Sequence, residues 1–167
     1  MSVPSKATRQ QVDQRPRRPF ETLVEEYGRS LLRFCVARLG PDRGEDVFQE
    51  TLLSALANYD QLRNPGSARS WLFSIAHSKI VDEARRQSRD PVVTDHEPAD
   101  NRTVSTPEIG IWGEVKTLPP KQREAVGLRF LGDLTHAEIG EVMGTSTEAA
   151  RRNVHEALNR LRRRANT

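Results

Sequence analysis

Arg151, Arg152, His155 and Asn159, preceded by Thr147 and Glu148, carry side chains that reach phosphates and base edges. At 100° per residue, Glu148, Arg152, His155, Asn159 and Arg163 share one helical face, with Arg151 beside them. Ala150, Val154, Ala157, Leu158 and Leu161 form the opposite, apolar face. Just upstream, Thr135 and Glu138 have the spacing of a capping box, in which each side chain satisfies a backbone donor of the other residue. Ile139, Val142 and Met143 follow as the apolar side of a short helix that Gly144 ends, and Thr145 or Ser146 caps the next. Two short helices with a tight turn, the second bearing the basic polar face, is the build of a helix-turn-helix. An ordinary helical hairpin with a solvated charged face has a similar pattern. Charge, turn chemistry and spacing agree on nucleic acid as the ligand.

A second constellation is Asp46, Gln49, Glu50 and Leu53, at i, i+3, i+4 and i+7 of another helix. They share a stripe opposite the expected core positions Val47, Phe48, Leu52, Ala55 and Leu56. A leucine among acids suits docking onto a basic partner helix. One exposed leucine is also ordinary on a soluble protein, and these residues alone do not choose.

Neither constellation is catalytic, and enzyme chemistry finds little support elsewhere. His77, His96, His136 and His155 are scattered, without metal-ligand spacing, a glycine-rich phosphate loop or a nucleophile motif. The expectation is therefore no catalytic residue, no metal and no cofactor. Cys35 is the single cysteine and lies among Leu31, Leu32, Phe34 and Val36, where it reads as a small buried hydrophobe. No apolar run approaches bilayer length and no signal-peptide core is evident, so a cytoplasmic location is expected.

The elements that must hold these residues follow from helical periodicity. Aromatics are 5% and charged residues 29% of 167, a balance suited to small helix-rich units. Residues 1–19 are basic, proline-containing and nearly devoid of apolar side chains, as in a disordered tail. A first helix runs from Phe20 to the Gly40-Pro41 break. Asp42 and Glu45 have capping-box spacing for a second, reaching about Asn58. Asn64-Pro65-Gly66 marks a turn, and Ser67 is placed to cap a third helix that buries Leu72, Phe73, Ile75, Ala76, Ile80 and Ala84. Trp71 sits at the edge of that face, where it either anchors the core or stacks on an unpaired base. The acidic, proline-containing stretch 89–107 reads as a flexible linker between two all-α domains, 20–88 and 108–167. In the second, a short helix over 109–115 and a helix opened by Pro119-Pro120 support the helix-turn-helix.

Three stretches in this order resemble the extracytoplasmic-function sigma factors, a family of RNA polymerase sigma subunits. EDVFQETLLSAL is similar to the family's D-x-x-Q-E-x-F segment, and SWLFSIAHSKIVDEARR to its W-L-x-x-I-A-x-N-x-x-x-D-x-x-R-R segment. LPPKQREAVGLRFLGDLTHAEIGEVMG followed by STEAARRNVHEALNRLR resembles its fourth region. The resemblance spans about residues 20–88 and 108–164.

It implies a dissociable subunit that binds core polymerase and directs promoter-specific initiation. Asp46, Gln49, Glu50 and Leu53 match the surface that docks on the clamp helices of the largest polymerase subunit. The loop over 59–70, with Tyr59 and Asn64, matches the segment that holds a flipped base. Trp71, Ser74, Ser78, Arg85 and Arg86 lie on the helix that matches the minus-ten reader. Thr147, Glu148, Arg151, Arg152, His155 and Asn159 match the reader of the minus-thirty-five element. The implied partners are core polymerase (clamp helices and beta flap), promoter DNA and a cognate anti-sigma factor, with the chain a monomer when free. Ser78 stands where the family has asparagine, and Ala149-Ala150-Arg151-Arg152-Asn153 where it often has T-V-K-S-R, and these two departures put the family's common promoter sequences in doubt for this chain. The chain stops soon after its last helix, with no appended regulatory domain expected. The alternative is a helix-turn-helix repressor or activator that does not replace the sigma subunit. Such proteins usually bind as dimers, and no heptad or second apolar face suited to dimerisation is visible.

Overall fold

Gly40 and Pro41 form the first hinge of the chain. Gly40 takes φ 84°, a left-handed conformation that favours glycine, and Pro41 opens the next helix at the position where its missing N–H costs nothing. In this computed structural model, which describes residues 18–89 and 113–167, they separate α1 (Phe20–Leu39) from α2 (Pro41–Ala57). Asp42 and Glu45 therefore form no capping box: Gly40 is the cap residue, the helix starts two residues early, and Asp42 sits in its first turn. After two short 3-10 turns, Tyr59–Gln61 and Pro65–Ser67, comes α3 (Ala68–Arg89). Ser67 does not cap it. Asn64 instead accepts from Gly66 N at 3.0 Å, and the Ser67 hydroxyl donates to Asn64 O.

The second half consists of a helical turn at 113–115 followed by α4 (Pro120–Phe130), α5 (His136–Met143) and α6 (Thr147–Ala165). The described residues are helices and turns, with no strand among them. Arg89, the first residue of the expected linker, is the last of α3; the rest of that linker and the start of the 109–115 helix lie outside the described residues.

The two halves pack on one another. One apolar core joins Leu31, Phe34 and Cys35 of α1, Val47 of α2, and Phe73, Ala76 and Ile80 of α3 to Ala125, Leu128, Leu131, Leu134, Ile139, Val142, Ala150 and Val154 of the second half. Phe34 and Phe73 meet edge to face at 5.4 Å, both fully buried. Burying a side chain of this kind contributes about 1.5–3 kcal/mol. A smaller cluster of Leu23, Ala55, Ala68 and Leu72 closes the far end of the first half, and Val115, Leu118, Val126 and Ala157 hold the base of α6. Two positions expected in the core are outside it. Leu56 is 56% exposed, and Ala84 lies on the open side of α3. Glu83 is buried instead, paired with Arg43 of α2.

Candidate functional site

The helix-turn-helix is built as the spacing predicts. Thr135 Oγ1 accepts from Glu138 N at 3.2 Å and Glu138 Oε2 accepts from Thr135 N at 2.8 Å, closing the capping box. Gly144 ends α5 at φ 67°, and Ser146 Oγ accepts from Ala149 N at 3.1 Å to start α6. Ala150, Val154 and Ala157 are buried, so Glu148, Arg151, Arg152 and His155 must point outward, and all four are exposed. Thr147 and Asn159 flank them, half-buried. Asn159 Nδ2 lies 3.0 Å from His155 Nε2, and Arg162 lies 3.4 Å from Asn159 Oδ1. His136, at the start of α5, has its pKa lowered by desolvation and by the nearby Arg129 and Arg151 cations, which favours the neutral ring.

Residue spacing alone did not bring Lys121 to this surface. It lines an open concavity of about 340 Å³ with Arg152, Asn153, Met143 and the Gly144-Thr145 turn. Its only sequence signal was a lysine just after the proline pair. The contact crosses 31 residues of chain and belongs to the tertiary fold.

A second surface is the outer face of α2. Asp46, Gln49, Glu50 and Leu53 are all exposed along it, and Leu53 is 69% exposed. Leu56 extends the stripe by one step, so the face presents two leucines beside its acids.

The third surface is mixed. Tyr59 and Trp71 are half-buried, with rings 6.4 Å apart, and Phe20 sits edge-on to Tyr59 at 5.4 Å. The Tyr59 hydroxyl donates to Arg18 O. Trp71 thus anchors a small aromatic cluster and offers only part of its surface outward. Ser74 Oγ donates to Ser70 O at 2.8 Å, and Asn64 is occupied by Gly66 N. Ser78 and Arg85 are exposed, and Arg86 is exposed 3.7 Å from Glu83. The three surfaces are separate. Among the described residues no helix is long and apolar enough to cross a membrane, and no three His, Cys, Asp or Glu side chains come together to hold a metal.

A fold of this kind, with a helix-turn-helix after a three-helix unit, falls in the sigma-70 class. Residues 23–90 match the family model for sigma-70 region 2, and 115–163 that for sigma-70 region 4. The chain is 33% identical over 153 residues to the extracytoplasmic-function sigma factor ShbA of Streptomyces griseus, covering 78% of this chain and 79% of that protein. It is 26% identical over 145 residues to sigma factor SigV of Bacillus subtilis, covering 84% and 87%. Its fold matches sigma factor RpoE crystallised with the anti-sigma factor NepR from Bartonella quintana, at TM-score 0.74 and 21% identity, over 86% of this chain and 94% of that one. CnrH in complex with the cytosolic domain of CnrY matches at TM-score 0.65 and 21% identity, over 88% and 87%. The chain belongs to the extracytoplasmic-function family of RNA polymerase sigma factors, and it directs promoter-specific transcription.

Proposed function

We propose that the three surfaces divide the work of initiation. The outer face of α2 docks core RNA polymerase on its clamp helices. The loop after α2 and the exposed face of α3 hold and read the melted minus-ten strand. The α6 face reads the minus-thirty-five element, with the second half also meeting the beta flap. The protein works in the cytoplasm as a monomeric, exchangeable subunit, performs no covalent chemistry of its own, and is held in check by a cognate anti-sigma factor. The domain limits for this division are 20–88 and 108–167.

The division of α6 into a buried Ala150–Val154–Ala157 side and an exposed Arg151–Arg152–His155 side carries this reading. A helix anchored on three small side chains can enter a major groove without dragging an apolar surface into it. The exposed leucines of α2 support the polymerase contact, because apolar anchors ringed by polar groups are where docking energy concentrates.

Retention on immobilised core polymerase, followed by run-off transcription from a genomic promoter library, tests the proposal. The expected result is capture by core and transcripts starting from a shared pair of elements. Tight binding to duplex DNA without any association with core would overturn it and favour a simple helix-turn-helix regulator.

A further inference from the structure

The positive charge of this protein is placed unevenly. Residues 20–89, which form the half assigned to the minus-ten strand, hold ten Lys and Arg against ten Asp and Glu, a net charge of zero. Residues 1–19 hold Lys6, Arg9, Arg15, Arg17 and Arg18 against the single acid Asp13, a net +4 that exceeds the +3 of the whole chain. A protein that holds a nucleic-acid strand draws much of its affinity from cations that displace counterions. Within residues 20–89 that supply is offset by the chain's own acids, Asp46 and Glu50 among them.

The structure fixes where the basic segment joins the fold. Residues 1–17 lie outside the described residues, and the described chain begins at Arg18. The Arg18 carbonyl oxygen accepts from the Tyr59 hydroxyl, and its guanidinium pairs with Glu26 at 2.9 Å. Two residues on, Phe20 packs edge-on against the Tyr59 ring at 5.4 Å. Arg18 also borders a depression lined by Leu23, Tyr59, Leu62, Pro65 and Ala68. The segment is thus tied to the loop after α2, the loop proposed above to hold the melted strand. An extended residue spans at most about 3.6 Å, which keeps Arg15 within about 11 Å of Arg18 and Lys6 within about 43 Å.

We propose that the segment carrying Lys6, Arg9, Arg15 and Arg17 binds DNA backbone phosphates beside the minus-ten element, supplying the positive charge that the neutral half lacks. The contact is electrostatic and indifferent to base sequence, so reading stays with α3 while the segment adds affinity. An acidic surface of the polymerase is the competing ligand. The attachment at Tyr59 favours DNA, because it places the cations at the loop that meets the strand. The proposal rests on the assignment of that loop to the minus-ten element.

The test is promoter binding over a salt series by polymerase holoenzyme assembled with the full chain. Lys6→Gln, Arg9→Gln, Arg15→Gln and Arg17→Gln are introduced together. This variant is expected to keep its helix content and its affinity for core. Its promoter affinity is expected to fall about tenfold or more near 0.1 M salt, and the slope of log affinity against log salt to become shallower by about 3, as four lost phosphate contacts require. Arg9→Lys, Arg15→Lys and Arg17→Lys together keep the charge and are expected to keep the slope. An unchanged slope in the glutamine variant overturns the proposal. Weaker core binding with an unchanged promoter slope overturns it as well, and would place the segment on the polymerase. A DNA-cleaving iron chelate locates the contact, carried on a cysteine introduced at Ser5 or at exposed Arg63 of the loop, with buried Cys35 left in place. Cuts around the minus-ten element are expected from both positions. Cuts there from Arg63 but none from Ser5 overturn the proposal alone. Absence of cuts there from Arg63 overturns the loop assignment, and with it the proposed place of contact.

Discussion

The backbones of α1 and α2 cross in contact at Val36 and Gly44: a Cβ on Gly44 would lie 2.5 Å from Val36 Cα. Only glycine lets the helices approach this closely after the Gly40-Pro41 hinge. The crossing sets the rotation of α2, and with it the side on which Asp46, Gln49, Glu50 and Leu53 emerge.

Gly44→Ala is therefore expected to destabilise the fold despite alanine's better helix propensity. The blocking atoms are backbone and cannot swing aside. Overpacking of this kind costs about 1–3 kcal/mol, readable as a lower urea midpoint. An unchanged midpoint would mean that α1 and α2 part freely.

Leu53→Asp with Leu56→Asp is expected to leave stability within about 0.5 kcal/mol, since both side chains are more than half exposed. Affinity for core polymerase is expected to fall tenfold or more. Equal affinity in a binding titration would remove α2 as the docking face.

Arg152→Ala is expected to change which bases are preferred in the minus-thirty-five element, measured by selection from randomised duplexes. A uniform loss across sequences with a shallower salt dependence would instead identify Arg152, with neighbouring Lys121, as a phosphate contact.

Thr135→Ala removes the Oγ1 that accepts from Glu138 N, one of the two bonds of the capping box, and is expected to cost about 1 kcal/mol. Hydrogen exchange in α5 and α6 would accelerate before that of α1. Uniform acceleration would show that the two halves unfold as a single unit.

Burial, with a smaller contribution from the Glu124 charge, pushes the Cys35 thiol up to about 12, against 9.0 for a free thiol. The unfolded chain therefore releases this proton first. Above about pH 9 stability falls with rising pH on this account, and the fall levels off near 12. Cys35→Ala is expected to flatten that part of a stability profile measured by urea unfolding. A slope equal to that of the unsubstituted chain would show that Cys35 does not contribute.

Much of the candidate site was legible because it is local. A capping box, a helix-ending glycine and the sidedness of α6 involve residues within a few positions of one another, and Thr135, Glu138, Gly144 and Ser146 take the roles their spacing predicts. Local rules failed where two of them competed. Asp42 had the spacing of a cap, but Gly40 and Pro41 together start the helix first. Leu56 fitted the apolar period of α2 at its last turn, where the core has already ended.

By itself, then, the sequence determined the helices, their apolar faces, the helix-turn-helix and the membership of a sigma family, all of which depend on residue type at fixed short spacing. The tertiary structure decided how the two halves meet. Glu124 reads in the sequence as one more charged position on a helix, and its burial between Arg38 and His77 joins residues 86 and 47 positions away. Contacts of that range depend on how whole faces fit, with Gly127 making room for Phe34. No periodicity in the chain encodes that fit.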